Sequence, residues 1–520
     1  MTSDKSKIVV IGSGFGGLAA AIRMQSAGYQ VTILEKLDQI GGRARVFKSD
    51  GFTFDAGPTV ITAPFLIEDI FNAAGRKMED YLTLLPVEPY YRIYFNDKTH
   101  FDYAHPDKNI PQIEQMSPSD VRGYKKMLEA VEPIFHKGFL KLSFKPFNSI
   151  IDMIKIMPSL IKLKSYKTNY KFVSSYVKND RLRQVFSFHP LLIGGNPFSV
   201  PSIYSLIQYL EKEYGVWFVK GGTTNLVHAL GKLFRELGGE IVLSAEVTKI
   251  EVEKGAVKGV KTANGDFYES DVVISNGDVA RTYTELIDKK WRSWRNSDRH
   301  YKKAKYSMSL CLIYFGTKKT YPDMKHHTII LGPRYKELLE DIFSKKILAE
   351  DFSSYLHVPT RTDPDLAPPD HDAFYILVPV PHQDSGIDWE KMKEPFKNKI
   401  MEFLDKNYLP GLLENLVVER TLTPIDFEKD YNSYKGSAFS LEPVFRQSAY
   451  FRTHNKSEDI KGLYFVGAGT HPGAGVPGVL SSAVVTTDLI VKDGKKPEVL
   501  PSSVVTTKNV LQDKKKPVKQ

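Results

Sequence analysis

Apolar, β-branched runs, glycine turns and helical periodicity alternate in the first fifty residues. Lys7-Ile8-Val9-Val10-Ile11 reads as a buried parallel strand. Gly12-Ser13-Gly14-Phe15-Gly16-Gly17 follows, then the helical run Leu18 to Met24, which Gly28 ends. Tyr29 to Leu34 predicts a second strand with Glu35 at its end. A similar rhythm returns around residues 215 to 280. There Trp217 to Thr223 leads into a helix from Asn225 to Leu237, closed by Gly238-Gly239. Short strands follow at Glu240 to Ser244, Val247 to Val252 and Val257 to Thr262. Asn264-Gly265 is a hairpin signal, and Asp271 to Asn276 is a buried strand. Near the far end an apolar strand enters the glycine-rich loop Gly467 to Gly478, and Ser481 to Ile490 predicts a helix. Ser307 to Phe315 and Ala373 to Val380 read as strands of a mixed sheet, and 112–214 reads as mainly helical.

Strand, glycine turn, helix, strand and terminal acid make a dinucleotide-binding unit. Gly12 permits the tight turn, Gly14 lets backbone approach a pyrophosphate, and Gly17 lets helix pack on strand. The helix start offers N–H groups and a positive dipole end to phosphate. Glu35 can accept from ribose hydroxyls, and an acid there favours an unphosphorylated ribose.

The residues that follow narrow the cofactor. Gly41-Gly42-Arg43 and Phe54-Asp55-Ala56-Gly57-Pro58-Thr59 resemble the second motif and ring-approaching stretch of the FAD-dependent oxidase and reductase superfamily. Tyr464-Phe465-Val466-Gly467-Ala468-Gly469-Thr470-His471-Pro472-Gly473-Ala474-Gly475-Val476-Pro477-Gly478 is similar to the signature of the bacterial and fungal type of phytoene desaturase. Gly51 to Thr62, Phe186 to Pro197, Tyr214 to Phe218 and Gly436 to Ser440 match as well, so the resemblance spans about residues 7 to 490. Many flavoproteins carry an acid where Ala468 stands; carotenoid desaturases share this departure.

The resemblance implies FAD and the cofactor-binding set Gly12, Gly14, Gly17, Glu35, Lys36, Gly42, Arg43, Gly57, Pro58, Val247, Gly467, Gly475 and Val476. It implies dehydrogenation of a hydrophobic polyene, 15-cis-phytoene, to lycopene or an intermediate, with a quinone or oxygen reoxidising the flavin. Such a substrate has no polar handle, so shape and apolar contact must hold it. The flavin accepts hydride and a base or water takes the proton. The family places an acid/base Asp at Asp152, followed three residues on by a basic residue, here Lys155. The spacing sets the two on one helix face; a surface Asp neutralised by its neighbour fits the same spacing.

Composition excludes several classes. Hydrophobic residues are 42% and charged residues 25% of 520, which rules out a disordered or collagen-like chain. The single cysteine, Cys311, lies in an apolar run, reads as a buried thiol, and excludes an intramolecular disulfide. His189, His326, His327 and His471 show no metal-ligand spacing, so no metal is expected. The net charge of +10 is concentrated in 137–172, with eight Lys and one acid, and in 491–520, with eight Lys and three acids, which leaves the rest of the chain close to neutral. The first segment carries Ile150, Ile151, Ile154 and Ile161 in a helical pattern broken by Pro158. It reads as an amphipathic element for an anionic membrane surface rather than for nucleic acid. A lid packed on the protein itself is the alternative. No leader or membrane span is visible, so the expected location is cytoplasmic, peripherally attached to the membrane.

The expected class is α/β, α+β overall: a Rossmann-type FAD domain (1–80, 215–285 and 440–492) and a mixed-sheet substrate domain (81–111 and 286–439). A helical lid or membrane-facing segment fills 112–214, and 493–520 is a basic tail. The oligomeric state is left open. Alternatives are another flavoenzyme of this scaffold (a C30 diapophytoene desaturase, a retinol saturase, an amine oxidase, a carotenoid-oxygenating relative) or a prenyl-lipid escort protein without redox work.

Overall fold

A computed structural model describes residues 6–494; the tail expected at 493–520 lies outside them from residue 495. The β-branched runs pair as a five-stranded parallel sheet in the order Leu463–Phe465, Val272–Ser275, Lys7–Ile11, Gln30–Leu34, Glu240–Val242. Both faces are covered, which is why these strands read as continuous apolar runs. Ile8 and Val10 point into one core with the helices Phe15–Ser26, Thr223–Glu236 and Val476–Asp493. Val9 and Ile11 point into a second core with the antiparallel sheet of Val247–Glu253, Ala256–Thr262 and Phe267–Glu269.

A seven-stranded sheet runs in the order Leu416–Leu422, Ser309–Thr317, Asp372–Val380, Ser354–His357, His327–Ile330, Tyr91–Tyr94, His100–Tyr103. Its neighbours are antiparallel except His327–Ile330 against Tyr91–Tyr94, which makes it mixed. Cys311, Ile313 and Phe315 face the helix Trp389–Asn407, and the Cys311 thiol is fully buried, its pKa pushed up to about 12 by desolvation. Leu310, Leu312 and Tyr314 face the other way, toward Phe47, Phe52 and Phe54. Helices Pro106–Met116, Val121–Ile134, Ile150–Lys162, Asn169–Ser174, Asp180–Ser187 and Leu206–Tyr214 fill the region between.

Two local expectations need correction. The C-terminal helix begins at Val476, five residues before the predicted start, because Gly475 (φ +88°) turns the chain and Pro477 suits a first turn. Pro158 does not break its helix: Ile150–Lys162 runs through it. A proline there removes one N–H, and at this exposed position water can serve the freed carbonyl.

Candidate active site

One large cavity lies between the two main sheets, and its walls differ. At one end are Gly12, Gly14, Glu35, Lys36, Gly42, Arg43, Gly57, Pro58, Val247, Gly467, Gly475 and Val476. These are twelve of the thirteen residues expected to hold the cofactor. Gly17 stands behind them: a Cβ on it would lie 2.1 Å from the Gly12 carbonyl oxygen, so only glycine lets the helix approach the strand. At the other end the wall is aliphatic, with Leu310, Leu312, Ile329, Leu338, Ile342 and Leu377.

Several features at the polar end fit a dinucleotide. The helices starting at Phe15 and Val476 both open on the cavity from glycine N-caps, Gly14 and Gly475, without side-chain caps. Their first N–H groups are therefore donors for a ligand. Glu35, at the end of its strand, accepts from the Ser13 backbone N–H (2.8 Å), the Ser13 hydroxyl (2.6 Å) and the Leu37 N–H (2.9 Å). A carboxylate offers about four lone-pair directions, so these three bonds leave about one for a ligand. Arg43 donates to the Ser433 hydroxyl, while its Nε and the Asp278 Oδ2 are buried without protein partners. Burial lowers the Arg43 pKa, with Asp278 opposing it; burial raises that of Asp278, with Arg43 opposing it. Orphaned buried polar atoms beside uncapped helix starts are what a bound nucleotide would satisfy. Lys36 is less free: its Nζ donates to the Lys429 carbonyl (2.6 Å) and to Asn432 Oδ1 (2.7 Å), tying the nucleotide end to the other domain.

Some contributors carried no sequence signal. Asn276 sits so close to Gly14, Gly16 and Gly467 that a Cβ on any of them would come within 2.9 Å of its amide. Arg452 is fully buried and donates to the backbone carbonyls of Leu441, Gln447, Ala468 and Thr470, holding the glycine-rich loop in shape. His471 in that loop donates from Nε2 to the Leu142 carbonyl (3.0 Å) and is neutral, its pKa lowered to about 4 by burial. Asp55 caps the helix Thr223–Glu236 through the Thr223 and Thr224 N–H groups, and burial raises its pKa to about 6.

Asp152 and Lys155 are not among the cavity-lining residues. They share the helix Ile150–Lys162, Asp152 half-buried and Lys155 exposed, and no ion pair joins them among the described residues. The histidines also differ from expectation. The adjacent His326 and His327 and the distant His357 bring one ring nitrogen each to within 4.8 Å of one another. Sequence spacing missed this cluster because strand pairing, with His327 opposite His357, creates it.

Comparison with known proteins follows this division of the cavity. Residues 15–491 match the family of flavin containing amine oxidoreductases. A lycopene-forming phytoene desaturase of Pseudescherichia vulneris is 47% identical over 94% of this chain and 99% of its own length. That of Pantoea ananas is 46% identical over 93% and 99%, and a neurosporene-forming one of Cereibacter sphaeroides is 41% identical over 94% and 95%. Among solved structures, an oxidoreductase from Methanosarcina mazei overlays with a TM-score of 0.62 at 18% identity, covering 94% of this chain and 100% of that one. A putrescine oxidase variant gives 0.63 at 15%, covering 94% and 99%; at these identities the likeness concerns the fold. A nucleotide groove of this build, continuous with an oily chamber and matched along nearly the whole chain, makes this protein a member of the flavin-containing amine oxidoreductase family and, within it, a FAD-dependent carotenoid desaturase of the bacterial type.

Proposed function

We propose that the chain converts 15-cis-phytoene by successive dehydrogenations to lycopene or a partly desaturated product while docked on a membrane surface. The observation that carries the substrate class is the wall of Leu310, Leu312, Ile329, Leu338 and Leu377 running on from the nucleotide end. Such a wall gives a hydrocarbon dispersion contact and gives a polar substrate nothing. Bound FAD supplies the hydride acceptor. The chain's own share is to hold the cofactor at the glycine turns, to keep water out, and to present successive bonds of an apolar chain. The C40 substrate is favoured over C30 because relatives named for phytoene reach 47% identity, against 36% for a diapophytoene desaturase.

Docking is supported by an apolar face that no other element covers among the described residues. On the helix Ile150–Lys162 only Met153 and Leu160 are buried, whereas Ile151, Ile154 and Ile161 are 56%, 62% and 58% exposed. The helix packs beside Ala449–Phe451, where Phe445 and Phe451 are also exposed. No helix among the described residues is long and apolar enough to cross a membrane. Apolar side chains ringed by Lys141, Lys145, Lys155, Lys162, Lys164 and Lys167 fit an interfacial element on anionic lipid. Each lysine near that surface contributes roughly 1 kcal/mol. We read the chain as cytoplasmic and peripherally attached to the membrane, with a quinone in the bilayer or dissolved oxygen taking the electrons; the lysine-flanked apolar face supports the attachment. Asp152, with Lys155 beside it, is assigned an acid/base role where the substrate crosses from lipid, a reading supported by the family resemblance alone. Asp152→Asn then cuts turnover strongly with flavin retained; unchanged turnover removes the role.

Chromatography of pigments from a phytoene-producing host carrying this chain tests the proposal. Coloured, further desaturated polyenes are the predicted result, and unchanged phytoene beside a flavin-loaded protein would refute it.

A further inference from the structure

The proton released at each desaturation leaves an almost wholly apolar chamber, and one string of polar side chains runs out of it. Tyr355 is half-buried and lines the cavity. Its hydroxyl lies 2.6 Å from His327 Nδ1 and 3.1 Å from the Thr59 hydroxyl, which in turn lies 2.7 Å from the Tyr375 hydroxyl. His327 belongs to the buried cluster with His326 and His357. His326 and His357 meet Nε2 to Nε2 at 3.0 Å, and His326 Nδ1 lies 2.6 Å from the Thr362 hydroxyl. Thr362 is half-buried, at the outer end of the string.

We propose that Tyr355, His327, His357, His326 and Thr362 form a proton-conducting wire that carries the substrate's proton from the cavity wall toward the surface. The proposal rests on the desaturase reading above and offers Tyr355, which lines the cavity, as the alternative to Asp152 for the first proton acceptor. In each cycle a C–H bond next to the carbon that lost hydride breaks, and its electron pair becomes the new double bond. The proton passes to the Tyr355 oxygen as the Tyr355 hydroxyl proton moves to His327 Nδ1. His327 then releases the proton from Nε2 to the facing imidazoles, and Thr362 passes it outward. The oxidant is the FAD that the established activity already uses, so nothing further is consumed.

Three observations favour conduction over storage. His327 Nε2 is buried without a hydrogen-bond partner among the described residues, and the cluster's ring nitrogens lie within 4.8 Å of one another, so a small ring movement must bring it to the facing imidazoles for the proton to pass. All three rings are neutral in the resting protein: desolvation lowers the His326 pKa to about 3, and those of His327 and His357 fall well below the ordinary value. Each neutral ring offers one accepting nitrogen and one N–H to donate, the pair of functions a relay needs. No carboxylate belongs to the cluster among the described residues, so no fixed negative charge traps the proton. Three neutral imidazoles are also a ligand set for a divalent ion, an occupant that the zinc test below decides.

The test uses full-length, FAD-loaded protein on phytoene-containing liposomes. Tyr355→Phe keeps the ring and removes only the relaying oxygen; Thr362→Val acts at the outer end, away from the cavity. Both are predicted to bind FAD at wild-type stoichiometry. Tyr355→Phe forms product at least about tenfold more slowly, the lower range of a lost proton-transfer group, and Thr362→Val slows it by a smaller factor. Wild-type turnover is slower in D2O than in water, and both variants change that ratio. Wild-type rates and an unaltered D2O ratio in the two variants overturn the wire. So does one equivalent of metal retained by the protein after incubation with zinc and desalting, which would make the cluster an ion site. Should Tyr355→Phe not fold, Thr362→Val decides alone. A wild-type protein that holds FAD and never desaturates phytoene instead defeats the desaturase reading.

Discussion

The two ends of the cavity are built by different rules. The nucleotide end is written in contiguous residues, because backbone itself is the binding surface. Gly12, Gly14 and Gly17 make a turn whose geometry any other residue would spoil, and the helix behind it is uncapped. The hydrocarbon end is assembled from strands far apart in the chain: Leu310 and Leu312, Ile329, and Leu377 come from three strands of one sheet. There no single residue type is required, only apolar character and the right volume. The difference teaches that cofactor binding fails abruptly on a single substitution, whereas substrate handling degrades by degrees.

The most severe break of that contrast is Gly17→Val. Its Cβ would meet the Gly12 carbonyl at 2.1 Å, so helix and strand must part. The expected outcome is complete loss of FAD, read as absence of flavin absorbance in the purified protein. Ile151→Glu with Ile154→Glu comes next. Two exposed side chains that bury about 1.5–3 kcal/mol each in lipid are replaced by charges repelled from anionic lipid. Co-sedimentation with acidic liposomes is expected to fall by more than tenfold while flavin content holds. Leu312→Asn places an amide in the oily wall at a cost of about 1–3 kcal/mol. It is expected to slow product formation roughly tenfold and to leave bound FAD unchanged, the signature that the two ends are separable.

The smallest effect is a pH dependence at the nucleotide end. Burial raises the Asp55 pKa in the folded protein to about 6 from the ordinary 3.8, so the folded protein binds more protons than the unfolded chain between those values. Stability contributed by this group is therefore greatest at low pH and declines as pH rises from about 4 through 6, by up to about 3 kcal/mol. Thermal unfolding of Asp55→Asn across that window is expected to lack this part of the slope.

How much the sequence revealed follows the same division. The parallel strands, the glycine turn and Glu35 were legible because each depends on neighbours within about thirty residues. Asn276, Asp278 and Arg452 were not, because their partners lie in remote segments: Gly14 and Gly467, Arg43, and the carbonyls of Ala468 and Thr470. The histidine cluster was likewise invisible, since His357 joins His326 and His327 only through strand pairing. The amphipathic pattern of Ile150–Lys162 was legible as a helix, yet its continuity through Pro158 was not, because a proline on an exposed face costs less than its intrinsic propensity suggests.

Anaerobic mixing of flavin-loaded protein with phytoene in liposomes reaches the central claim most directly. Bleaching of the oxidised flavin, with one new double bond formed per flavin reduced, is the result predicted for a site that draws hydride from a chain without polar groups. Flavin that stays oxidised while phytoene is bound would contradict the account.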